Sequence, residues 1–175
     1  MTKFLYSFAL SIALAAVSAS SSSAQGLVLT AENTHVILAA KFPGSGDGLR
    51  SDPGTIGEFY ATNNRAYNPV VKGNLPDGWA QAQIWVRQRG GPFQLKGNGG
   101  GSELLWNWDS PATWTWQSYG SHSRDQLTSN FLFIRSDNLA FDAGIDVVIL
   151  IRDEGEPRSA DLDLMAKQAA AVVKK

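Results

Sequence analysis

The chain has 175 residues, with 15 basic against 16 acidic side chains and a net charge of −1, so it carries no electrostatic footprint for nucleic acid. It contains no cysteine, which excludes disulfides, thiol chemistry and cysteine-ligated zinc and leaves stability to the core or to a bound metal. Six tryptophans and 17 glycines, the latter set between short apolar runs, point to an all-β domain.

Residues 1–24 read as a cleavable signal peptide. Lys3 supplies the basic start, and residues 4–17 are uncharged and apolar but short for a membrane span. Cleavage after Ala24 places Ser22 and Ala24 at the small-residue positions; cleavage after Ala19 is the alternative, and an uncleaved anchor the competing reading. The expectation is a secreted or periplasmic protein with no membrane span in the mature chain. The absence of any N-x-S/T acceptor favours a bacterial source.

The mature chain then divides into a sandwich, residues 25–157, and a tail, residues 158–175. Residues 27–31 and 34–40 read as short strands. Residues 42–57 read as loop, with FPGSGDG and SDPG as turn chemistry. Residues 58–60 and 66–71 are further strand candidates, and NLPDGW at 74–79 is a turn. Residues 81–89 give the cleanest strand: Ala82, Ile84 and Val86 fall on one face, Gln83, Trp85 and Arg87 on the other. That alternation predicts a half-buried strand in an antiparallel sheet.

Residues 103–108 and 113–119 follow, separated by DSPA, and read as neighbouring strands. The runs at 130–135 and 145–151 are apolar on both faces, which predicts central strands covered on both sides. Together these make a β-sandwich the favoured architecture. In the tail, Leu162, Met165, Ala169 and Val172 recur at helical spacing, with Asp161 and Asp163 at the start and Lys174 and Lys175 at the end, as the helix dipole prefers.

Catalytic signatures are missing: there is no HExxH, GxSxG, P-loop or complete GxGxxG. His35 and His122 are far apart in sequence and read as exposed polar residues. Glu103 and Asp109 lie near tryptophans, but a glycosidase needs two carboxylates flanking a sugar, and acids at strand ends are usually solvated. The tryptophans are the sharper signal. In WNW (106–108) and WTW (114–116) both indoles of a triplet share one strand face. If Trp108 sits opposite Thr113 the two pairs lie on opposite faces; a one-residue slip puts all four on one face. An exposed indole can stack on the C–H face of a sugar ring, whereas a buried one fills the core.

Taken in order, several segments resemble carbohydrate-binding modules of families 6 and 35: LTAEN at 29–33, AQIWVR at 82–87, WTWQSYG at 114–120, NFLFIRSDN at 130–138 and GIDVVIL at 144–150. The resemblance implies a galactose-binding-like jelly-roll sandwich with no catalysis of its own. It implies a structural calcium ion held by Glu32 and Asp146, although Thr30 stands where the family commonly has a second acid. It also implies a glycan site using Trp114 or Trp116, with Tyr60 as a second aromatic. Gly144 replaces the family's common Asn, which leaves Asn138 as the substitute or the site absent. The resulting expectation is an all-β jelly-roll β-sandwich with a short C-terminal helix. It is a non-enzyme that binds a polysaccharide or glycan by stacking. The alternatives are a sandwich that contacts a protein partner and a small glycan-active hydrolase or lyase.

Overall fold

The computed structural model describes residues 26–41, 49–62, 70–71, 75–90, 93–96, 103–107, 111–127, 131–135 and 143–173. The signal-peptide segment lies outside them. Ten strands, one 3-10 turn (Ala39–Lys41) and one helix make up these residues. The strands are β1 (Thr34–Leu38), β2 (Leu49–Arg50), β3 (Phe59–Thr62), β4 (Val70–Val71), β5 (Gln81–Arg89), β6 (Phe93–Lys96), β7 (Glu103–Asn107), β8 (Thr115–Ser123), β9 (Phe131–Arg135) and β10 (Ala143–Ile151). The helix, α1, is Ser159–Val173.

Two antiparallel sheets form a jelly-roll sandwich. The larger runs β2-β3-β10-β5-β8, with β1 also paired to β10; the smaller runs β4-β9-β6-β7. One edge of β10 is shared by β3 at its start and β1 at its end, while β5 lines the other edge. All nine residues of β10 are buried, as its run, apolar but for Asp146, predicts for a strand covered on both faces. Between the sheets, Ala82, Ile84 and Val86 of β5 meet Phe93 and Leu95 of β6, Tyr119 of β8 and Ile145, Val148 and Leu150 of β10. On the far side of the larger sheet, Val147, Ile149 and Ile151 pack under Leu162 and Ala166 of α1, with Leu27, Leu29, Trp85 and Trp116 partly buried beside them.

Several details differ from the sequence expectations. Residues 27–31 are not a strand. Asn33 closes a turn there: its Oδ1 accepts from Thr30 N at 2.8 Å, and Thr30 O accepts from Thr34 N at 3.1 Å. The side-chain bond substitutes for a strand ladder. The 103–107 and 115–123 strands are not hairpin partners either. β7 pairs with β6 and β8 pairs with β5, in different sheets, so neither register considered for the two tryptophan triplets occurs. The second face of β5 is not free to solvent, because α1 and residues 27–29 cover it. In the helix, Leu162 and Ala166 carry the burial, while Val172 is 74 % exposed.

Candidate functional site

Trp114 immediately precedes β8, and Trp116 lies at its start, on the sheet face that α1 covers. Neither is an open platform. The Trp114 ring meets Phe59 edge-on at 5.2 Å, and the guanidinium carbons of Arg89 and Arg87 lie 5.2 and 5.6 Å from its centroid. Its Nε1 is buried without a hydrogen-bond partner. Trp116 is half-buried, and its Nε1 donates to Asp163 Oδ1 of α1 at 2.9 Å. The structure thus leaves both indoles half-buried, with partners within the chain. Tyr60 sits in β3 with its backbone opposite Leu49 and Ile145. Asn138 lies outside the described residues, as do Trp108 and Asp109.

Arg87 is the hub of this face. One terminal nitrogen donates to Asp146 Oδ2, the other donates to Gly54 O at 2.7 Å, and Nε lies 3.5 Å from Asp163 Oδ1. Asp146 also accepts from Ile56 N at 2.8 Å, while its Oδ1 has no partner. A bulge explains how a charge enters so apolar a strand. Ile145 faces Gln88 and Val147 faces Arg87, which leaves Asp146 as the extra residue turned toward the guanidinium. Burial raises its carboxyl to about 6, against the opposing pull of Arg87.

This geometry corrects the expected calcium pair. Glu32 is exposed in the 31–33 turn, beyond Thr34, which pairs with Ile151 at the far end of β10 from Asp146. Asp146 and Ile151 alone are roughly 17 Å apart at the rise of a β-strand. The two carboxylates therefore cannot share one ion, and Asp146 is neutralised by Arg87 instead. Among the described residues no group of three or more His, Asp or Glu side chains converges as a metal site. His122 bonds Tyr119 O at 2.7 Å and serves the turn rather than a catalytic group.

A site that sequence reasoning missed opens where β5 begins and where β8 and β10 end. It is a cleft of about 410 Å³ bordered by Gln81, Gln83, Ser121, Arg152, Asp153 and Glu154. Two devices build it. Between Gln83↔Ser121 and Trp85↔Ser118, β8 carries one residue more than β5, and Gly120 takes φ 76° there. That left-handed bulge turns Ser121 into the cleft. On the opposite wall Gln83 Nε2 donates to Asp153 O at 2.5 Å and to Gly155 O at 3.0 Å, fixing the chain after β10. Asp153 accepts from Asn33 Nδ2 at 2.9 Å and from Arg152 Nε at 3.1 Å, and these bonds hold its carboxyl below the usual range. The side chains of Gln81, Ser121 and Glu154 have no hydrogen bond among the described residues, and Arg152 keeps its terminal nitrogens free of one. The cleft thus offers an amide, a hydroxyl, a carboxylate and a guanidinium to an incoming molecule. The only sequence signal for it was the cluster RDEGE after β10, which reads as an ordinary charged turn.

No family model matches the chain, and no curated protein matches it. Among solved structures it is similar to a GH26-CBM35 β-(1,4)-mannanase from Podospora anserina, with 12 % identity and a TM-score of 0.51. The match covers 72 % of this chain and 29 % of that one, so the chain spans under a third of the mannanase. At this identity the likeness is one of fold.

Proposed function

We propose that the protein is a secreted or periplasmic, non-catalytic carbohydrate-binding β-sandwich whose glycan site is the polar cleft between β5, β8 and the segment after β10. The observation that carries this reading is the set of unpaired polar groups facing a space of about 410 Å³, within the size range of small-ligand sites. A sugar presents adjacent hydroxyls, each both donor and acceptor. Glu154 accepts from one, Arg152 donates to its neighbour, and Gln81 and Ser121 do either. The similarity in fold to a mannanase that carries a carbohydrate-binding module supports the same reading.

Without an indole in the cleft, affinity rests on directional hydrogen bonds. A single hexose of about a dozen heavy atoms is then held at roughly millimolar Kd. The test is calorimetric titration with a panel of neutral mono- and oligosaccharides. Glu154→Gln and Gln81→Ala each weaken binding by about tenfold, the loss of one hydrogen bond to a charged or polar group. A saturable response unaffected by both substitutions, or no response from any sugar, rejects this site. Binding lost only in Trp114→Ala, in a protein that still folds, returns the site to the aromatic face.

A further inference from the structure

The inward stripe of α1 does not end where its packing ends. Leu162, Ala166, Ala170 and Val173 follow one another at helical spacing on one face. The first two are fully buried against β10, but Val173 is 52 % exposed. Ala170, partly buried against the same cluster, and Val173 border a half-enclosed space of about 290 Å³ that Leu38 and Ile56 also line. Ala170 leaves this gap, because its methyl group is too short to fill it. Its described walls are mostly apolar, and an engineered apolar cavity of roughly half this size takes up benzene. At its mouth stand Ser51 and Glu58, both exposed, and Glu58 has no ion pair among the described residues.

We infer that this space is a binding site for a small amphiphile with an aliphatic tail and a cationic head. The tail occupies the gap under the last turns of α1, and the head pairs with the Glu58 carboxylate at the mouth. The site is distinct from the polar cleft and does not depend on glycan binding. Apolar contact supplies affinity in proportion to the methylenes buried, and Glu58, the one charged side chain among the described lining residues, sets the preferred sign of the head.

The test is calorimetric titration of the purified protein with n-decyltrimethylammonium and with decanoate, both below their micellar concentrations. Saturable binding of the cation at one site is expected, with decanoate weaker by about tenfold or more, the factor an ion pair at a half-enclosed site provides. Ala170→Leu fills the gap and weakens the cation by about tenfold or more, as its added carbons displace about as many tail methylenes. Ala171→Leu, on the exposed side, leaves affinity unchanged. Glu58→Gln brings the two ligands to equal affinity. Unsaturable uptake, or unchanged affinity in an Ala170→Leu protein with the parent circular dichroism, overturns the site. If Ala170→Leu does not fold, Val173→Trp at the mouth replaces it with the same two outcomes. A decanoate preference, or a cation preference that survives Glu58→Gln, overturns the assignment of the head.

Discussion

Arg87 shows how much of a site can hang on one side chain. It joins the bulged strand through Asp146, the 54–56 loop through Gly54 O and the helix through Asp163. Replacing it with Met leaves the Asp146 carboxylate buried and unpaired, which costs about 3–5 kcal/mol at neutral pH. A urea midpoint unchanged from the parent would show that the pair is dispensable. The pH dependence of Asp146 follows from two opposing effects. Its ion pair favours the charged form and its burial disfavours it; burial wins, so the folded-state value of about 6 lies above the ordinary 3.8. The folded protein therefore binds this proton more tightly than the unfolded chain. The resulting stability is fully present below about pH 4 and is lost as pH rises through about 6. In Asp146→Asn the fall in urea midpoint between those values should flatten; a slope identical to the parent's would mean that another group titrates there. A charge within IDVVILI is costly, so Asp146 needs a partner, but the sequence does not identify it. Arg87 lies 59 residues away and reaches it only through a bulge.

At the level of elements, legibility tracked the strength of the periodic signal. β5 was readable to the residue because alternation over nine positions leaves one register, and β10 because nothing polar but Asp146 interrupts it. The strands of the smaller sheet were harder. β6 has four residues in a Gly-rich surround and gave no pattern, and its absence from the reading turned β7 and β8 into false neighbours. The same miss undid the register argument about the tryptophans. The partner of Trp116 comes from α1, which lies about 45 residues further on and supplies the acceptor Asp163. The helix itself was foreseen, with Leu162 buried as expected and Ala166 as the second fully buried position. Leu162→Ala should cost about 2–5 kcal/mol by opening a cavity under the helix. Leu164→Ala, at 56 % exposure, should stay within about 0.5 kcal/mol. Equal losses in chemical denaturation would show that α1 is not docked on this face.

For the molecule as a whole, composition and turn chemistry were enough for the sandwich, whereas the candidate cleft was not legible in the sequence. The sheet face that bears Trp85, Trp116 and Arg87 is a second core, and the polar cleft sits at an end of the same sheet. A cleft of this kind is made of ordinary polar residues whose meaning comes only from convergence. Ser121 and Glu154 are 33 positions apart, and nothing in either local segment announces the other.

The placement of β10 has a consequence for how the chain reaches this state. The strand that three others lean on is the last to be made: Thr34 finds Ile151 only after 117 intervening steps along the chain. Until β10 arrives, β1, β3 and β5 have open edges and no shared partner. Such long-range closure places folding in the slow range of roughly milliseconds to seconds. The nascent molecule passes through a stage in which β2 can pair with β3 and β5 with β8 but nothing joins these pairs into the larger sheet, and the edges exposed at that stage are where self-association would begin.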